Sequence, residues 1–580
     1  MARILDRRGA DRTQIMANWK PTVGSRFRAL IKGTAYGESV RFKDRWRAFA
    51  VWPPNVFALA SILLEDSGGY RIAVSPHDGR TWPPDDPNGD WSDRVCAVAE
   101  AWRQSVGRGD VPPRVLELGA RLAAKRNLPL KELTAPEHWD CCAAVLELLA
   151  IADEACIGVG IPSRNHSTQF PIRAEMRLGR YGTLARLSPN VVRVLPKLRT
   201  SQAGISVGSL SHHVTAQRSE VRPIWHLAEG LCDPRSMRVN LLVVPWPYVV
   251  EANAFREAPS RLRNMDPAKF GFFDFKPAEA LNIKQLGNVI DEARRRCEVV
   301  DGVVLPEGAI EAHEIDAVQK CLEDRAVPML VAGVRGDNAN YAHLALFYEK
   351  KWRLSDQHKH HRWSLDGNQI RQYHLGSSLH PERRWWENIA VRQRELNFVT
   401  ANGWLTTCHL ICEDLARQEP VADLVRAVGP NLVIALLLDG PQLSGRWPAR
   451  YASVLADDPG SSVLTVTSLG MSLRSWDAQH PRSRVVALWK DARRGLQEIS
   501  LEREHQALLL TIAAHWTQEW TADGRSDNTS AAELVLSGVE QIAEPQAAVE
   551  TAGSRSPTQA PAPRSAPPGH RSSRASRRRA

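Results

Sequence analysis

The sequence predicts an α/β body over residues 237–525, preceded by a mainly α-helical region (1–235) and followed by a low-complexity tail (541–580). Three observations carry this division. Apolar residues recur at helical spacing in four stretches between residues 55 and 155. Strand-like and helix-like segments alternate from Met237 onward. After about residue 540 the composition collapses to Pro, Ser, Ala, Gln and Arg.

In the first region, residues 55–66, 93–106, 114–127 and 139–155 each read as a helix, with prolines or glycines between them, and four such helices make a bundle. Cys141-Cys142 lies in an apolar helix and reads as core. Over 158–222 the periodicity weakens, so a small separate domain and a long connection both stay open. His212-His213 in this stretch lacks the partners a ligand or catalytic pair needs. In the α/β body, strands are expected at 239–245, 301–305, 327–334, 342–348, 404–411, 432–438, 463–468 and 508–512, and helices at 282–299 and 313–324.

The totals bound the class. At 580 residues the chain exceeds one ordinary core, and 43% hydrophobic with 24% charged residues is the balance of a folded chain. Nineteen tryptophans suit cores, interfaces and pockets alike, so their number selects no function. Seven arginines within 551–580 supply most of the net charge of +10, leaving +3 over the first 550 residues. The tail is therefore expected to be disordered, and two readings of it stay open: a solubilising extension, or a weak, salt-dependent contact with nucleic acid or another acidic surface. Nine cysteines, an odd number without framework spacing, point to a reducing cytoplasm. No signal segment or membrane span is read, because the longest wholly apolar run, 432–438, is far too short.

The chemistry concentrates in LTTCHLICEDLAR, residues 405–417. A strand there delivers Cys412 into Glu413-Asp414 and a helix-like segment, and a helix start favours thiolate and oxyanion charge. A free thiol is only a few per cent ionised at neutral pH and needs a base or a positive neighbour. Glu307, in VVLPEG at a strand end, is the candidate base. Lys359, in QHKHHRW, is the candidate oxyanion cation, with Lys350 and Lys351 as competitors. Histidines 358, 360 and 361 raise the alternative of a metal site, but they lack convincing ligand spacing. Cys408, four residues before Cys412, reads as a packing residue.

The order strand-Glu, loop-Lys, strand-Cys resembles the carbon–nitrogen hydrolase superfamily, the nitrilases and amidases. LPEG, QHKHH and ICEDLAR carry the resemblance, followed by Arg417 and Pro420. GPNLVIALL, SVLTVTSLG and SRVVALWKDARRG with QALLLTI resemble the family's later strands and closing hairpin. It covers about residues 237–525. The usual tyrosine before the lysine is out of register, the expected asparagine is replaced near Ser468, and the second glutamate is either Glu382 or Glu387. With Tyr373 and Trp385-Trp386-Glu387, KHHRW also looks similar to nitrilase-like domains linked to bacterial reverse transcriptases in antiphage systems. No polymerase is recognised in the N-terminal half. Ala456-Asp457-Asp458, which resembles part of a polymerase metal motif, reads as a loop before Pro459.

The resemblance implies a four-layer αββα sandwich that commonly pairs into dimers, with a catalytic triad of Glu307, Lys359 and Cys412. It implies attack of the thiol on a small amide or nitrile through a thioester, without metal or organic cofactor. A reverse transcriptase is the partner it implies. A Lys359→Ala variant is then expected to lose orders of magnitude of activity while staying folded. The alternative is a non-catalytic scaffold of the same fold in a defence or nucleic-acid-associated assembly, which a Cys412→Ala variant would leave unaffected.

Overall fold

The computed structural model describes residues 21–155 and 221–545 with short breaks; residues 1–20, 156–220, 518–530 and 546–580 are the longer stretches outside the described residues. His212-His213, Pro420 and nearly all of the expected tail therefore lie outside them. The described residues up to Glu544 form one compact unit.

The helical region has its own core. Helices Pro53–Ser67, Trp91–Ser105, Pro113–Ala124 and Trp139–Ala155 occur where helical spacing places them, and the last contacts each of the other three. Two helices that the sequence reading passed over, Val23–Ile31 and Phe42–Ala50, join them, so the expectation of four is corrected. Their apolar residues are interleaved with arginine and lysine, which hides the period, yet Phe27, Trp46 and Phe49 are buried in the shared core. Trp102 Nε1 donates to Ala50 O at 3.0 Å and Trp46 Nε1 to Val115 O at 3.3 Å, so these two buried indoles satisfy their donors while filling space. Cys141 and Cys142 are free thiols in this core, and burial pushes them up to about 11 and about 12.

Strands and helices alternate through the rest. The strands are β1 (Arg222–Leu227), β2 (Arg238–Val243), β3 (Phe255–Ala258), β4 (Phe270–Phe275), β5 (Gly302–Glu311) and β6 (Met329–Gly336). There follow β7 (Ala339–Tyr348), β8 (Lys351–His358), β9 (Ser364–Leu365), β10 (Arg384–Glu387), β11 (Glu395–Ala401) and β12 (Leu405–Ile411). The last are β13 (Leu432–Leu437), β14 (Ser462–Thr467), β15 (Val485–Asp491), β16 (Gly495–Ser500), β17 (Ala507–Thr517) and β18 (Ala531–Ile542).

They make two seven-stranded sheets, β18-β17-β2-β5-β6-β7-β8 and β1-β11-β12-β13-β14-β15-β16, and a four-stranded sheet, β3-β4-β10-β9. One apolar core takes residues from both large sheets, among them Val304 and Val331 of the first and Phe398 and Val433 of the second. Such strands, buried on both faces, read as mainly apolar stretches without strict alternation, which is why β12, β13 and β14 were visible in the sequence. The other face of the first sheet packs against helices Ile283–Cys297 and Ile315–Glu323. Helix Trp447–Asp457 packs on β14 and β15 of the second.

Three expected boundaries are corrected. β1 pairs in parallel with β11, so the α/β body begins before residue 237. β18 pairs along β17 as far as Ile542, past both 525 and the expected start of the tail at 541. Glu544 is also engaged, accepting from Gln285 Nε2 at 3.0 Å and Asn288 Nδ2 at 2.8 Å. The closing hairpin is β15–β16, whereas QALLLTI, in β17, pairs with β2 and β18 in the other sheet. Ala456 and Asp457 end a helix rather than forming a loop, and Asp458 meets Arg426 Nε at 3.3 Å. No helix among the described residues is long and apolar enough to cross a membrane.

Asp301, just ahead of β5, shows what these sheets tolerate. Its carboxylate is 4% exposed and accepts from the Asn240 backbone N–H at 2.7 Å. Burial raises it from 3.8 to about 7, against the pull of that N–H. A raised carboxyl contributes stability that is fully present below the unfolded value and lost as pH rises through the folded one. Asp301→Asn keeps an acceptor and cannot ionise. Between pH 5 and pH 8.5 the wild type is expected to lose roughly 2–3 kcal/mol relative to this variant in urea unfolding. Parallel pH profiles for the two would refute the assignment.

Candidate active site

Glu307 reaches the site through a bulge. Leu305 pairs with Ala332 and Ile310 with Val334, so the four β5 residues 306–309 face Gly333 alone on β6. Gly308 takes φ +66 in this bulge, and the Glu307 side chain is fully buried. A bulge of this kind re-aims a side chain out of the strand alternation.

Lys359 follows β8, its backbone N–H donating to Asn340 O at 2.9 Å. Its ammonium, likewise buried, lies 2.7 Å from Glu307 Oε1 and 2.8 Å from Glu387 Oε2. Glu387 ends β10 and is fixed by the Trp363 backbone N–H, which donates to its Oε2 at 3.1 Å. Asn340, on β7, donates from Nδ2 to Glu307 Oε1 at 2.7 Å and to Glu387 Oε1 at 2.6 Å. The Leu438 backbone N–H completes the set, donating to Glu307 Oε2 at 2.7 Å.

Cys412 sits at the corner after β12 with φ 43 and ψ −109, a conformation that a non-glycine residue adopts only where its surroundings enforce it. Its N–H donates to Leu436 O at 2.8 Å, which ties the corner to β13. The helix it opens, Glu413–Ala416, is one turn long, so the macrodipole expected to favour a thiolate is small. Burial first, then Glu307, push the Cys412 thiol well up, and Lys359 opposes them. Burial also raises the Glu307 carboxyl, Lys359 pulls it back, and Glu387 adds to the rise. Lys359 stays well above its ordinary range: burial alone would lower it, but Glu307, Glu387 and Cys412 outweigh that. The resting group is thus a protonated thiol beside an ammonium held by two carboxylates, one of which has raised proton affinity.

Among the three predicted residues, Glu307 and Lys359 are brought into contact, and Cys412 shares their electrostatic environment. The choice between glutamates falls to Glu387, since Glu382 is exposed and its backbone N–H donates to His380 Nδ1. Lys350 and Lys351 occupy the exposed β7–β8 turn. The three histidines are spent elsewhere. His358 Nε2 meets Arg392, His360 Nε2 meets Glu395 O at 2.8 Å, and His361 Nδ1 meets Asp414 Oδ1 at 3.0 Å. Asp414 also accepts from the His360 backbone N–H at 3.1 Å, so the turn after Cys412 and the loop after Lys359 share one buried carboxylate. Cys408 is fully buried, and burial alone raises its thiol far up, in keeping with a packing role.

Sequence reasoning missed Asn340, whose DNAN context reads as turn, and a second buried group. The Tyr373 hydroxyl and Arg446, at 2.7 Å, both bond Asp439 Oδ1, one residue beyond Leu438. A cavity of about 550 Å³ reaches the site at Asn340, Glu387 and Leu438, and Lys276, Glu311 and Arg335 also line it. Glu307, Lys359 and Cys412, at 0%, 1% and 2% exposure, are not among its lining residues.

No family model matches this chain, and no curated protein matches it. Among solved structures, Saccharomyces cerevisiae Nit3, a member of branch 10 of the nitrilase superfamily, is similar over 46% of this chain and 88% of that chain, at 12% identity and a TM-score of 0.29. A likeness of that size says nothing about chemistry, which has to rest on the residues themselves.

Proposed function

We propose that this chain is a cysteine-dependent hydrolase of carbon–nitrogen bonds, built on the four-layer αββα plan, acting on a small amide or nitrile. One observation carries the reading: a fully buried ammonium, Lys359, is clamped between Glu307 and Glu387 and lies within electrostatic range of Cys412, a buried thiol held in a strained corner. A purely structural core rarely buries three ionisable side chains together, because the desolvation cost offsets most of their mutual attraction.

In this reading Glu307 takes the Cys412 proton and the sulfur bonds to the substrate carbon. Lys359 and the Glu413 backbone N–H stabilise the negative charge that develops on the substrate. For an amide, the carbon–nitrogen bond breaks as Glu307 returns its proton to the leaving nitrogen. Water then adds to the thioester, giving its proton to Glu307, and the thiol leaves as that proton returns. Glu387 holds Lys359 in place and keeps it charged.

A second reading, a non-catalytic scaffold, is favoured by one observation: Cys412 is only 2% exposed and does not line the cavity. Intact-mass spectrometry after incubation with a mixture of small amides and nitriles separates the two. An acyl mass increment that maps to Cys412 is expected, and its size reports the acyl group. A thiol that stays unmodified across pH 6–9 would sink the hydrolase reading.

A further inference from the structure

Asn340 has one polar atom left over. Its backbone oxygen accepts the Lys359 N–H, and Nδ2 donates to both glutamates. Carboxylate oxygens accept hydrogen bonds, so the amide orientation is fixed: a flipped group would set Oδ1 against two carboxylate oxygens. Oδ1 is buried and has no hydrogen-bond partner among the described residues, although Asn340 is only 7% exposed. A buried carbonyl without a donor is uncommon and calls for a physical reason. Asn340 also lines the cavity, beside Glu387 and Leu438.

We infer that Asn340 Oδ1 receives an N–H from the scissile nitrogen of the substrate, which makes Asn340 a catalytic residue and selects primary and secondary amides over nitriles and esters. This rests on the hydrolase reading above and narrows its substrate class. The bond changes are those already given: carbon–sulfur forms, carbon–nitrogen breaks, and the proton from Cys412 leaves on nitrogen by way of Glu307. The hydrogen bond to Oδ1 turns the nitrogen lone pair toward that proton. Nitriles and esters have no N–H on the leaving atom, so they leave Oδ1 unpaired.

The full chain is tested with p-nitroacetanilide and p-nitrophenyl acetate, which share an acyl group and differ in N–H against O, by measuring the rate of Cys412 acylation. Asn340→Leu is expected to slow the anilide roughly tenfold more than the ester, the worth of one neutral hydrogen bond. The wild type needs no variant for a second arm, in which N-methylation of the anilide is expected to slow acylation by a similar factor. Equal losses on both probes in Asn340→Leu, or an N-methyl anilide as fast as its parent, would reduce Asn340 to a holder of the two glutamates. Acylation by the ester without any by the anilide overturns the Asn340 assignment and leaves the thiol chemistry standing. Failure of both probes on the wild type overturns the hydrolase reading itself.

Discussion

Lys359→Met is expected to unfold more easily at pH 7 by about 3–5 kcal/mol, besides losing catalysis, because it leaves two buried carboxylates without their cation. This revises the sequence-based expectation that removing the lysine spares the fold. Glu307 and Glu387 share the Lys359 ammonium at 2.7 and 2.8 Å, so the group carries one net negative charge with the lysine and two without it. Asn340 holds the two carboxylates close together, and like charges in a dry site cannot both stay ionised cheaply. One glutamate then binds a proton, and its raised affinity sets the sign of the pH effect. The deficit of Lys359→Met is smallest in acid and widens as pH rises through that glutamate's folded value. Adding Glu387→Gln removes the second charge and is expected to recover most of the stability while acylation stays down roughly 100–1000-fold, since the oxyanion donor is still gone. Urea unfolding at pH 5 and pH 8 with Cys412 acylation rates separates the two effects. A Lys359→Met protein with the wild-type midpoint at both pH values would mean that the three side chains are not in contact.

The catalytic candidates were legible because each sits where a local pattern breaks. Glu307 interrupts an apolar run at Pro306, Cys412 closes one at Ile411, and Lys359 lies in a cluster too polar for the sheet beside it. Glu387 and Glu382 were indistinguishable because both stand near the short strand RWWE. Only its pairing with β4 and β9, and the Trp363 N–H, turns Glu387 inward. Asn340 was invisible for the opposite reason: in DNAN an asparagine signals a turn, and its role depends on lying beside a bulge 33 residues earlier. β1 and β18 were missed because Pro223 and His226 in the first, and Ser537, Gly538, Glu540 and Gln541 in the second, interrupt their apolar stretches, and they count as strands through partners at Glu395 and beyond and at 507–517. The alternating body was visible because its central strands are buried on both faces; its edges, half polar, needed the pairing.

Gly333→Ala is the sharpest test of how the site is positioned, because glycine there is required by space. Its φ is ordinary, so no conformational strain is at stake. A Cβ on Gly333 would lie 2.3 Å from Glu307 Cα and 2.3 Å from Pro306 O, both backbone atoms that no rotamer change can move. β5 therefore has to retreat from β6 at the bulge, the place that holds Glu307 against Lys359, Asn340 and the Leu438 N–H. Overpacking of this kind costs about 1–3 kcal/mol. A shift of the base by about an ångström is expected to slow Cys412 acylation on the order of 100-fold. Gly376→Ala supplies the control: nothing lies within 4 Å of its added Cβ, and it is expected to stay within about 0.5 kcal/mol of the wild type with unchanged acylation. If the two variants behave alike in urea unfolding and in acylation, β5 does not approach β6 this closely, and something other than the Gly333 gap places the base.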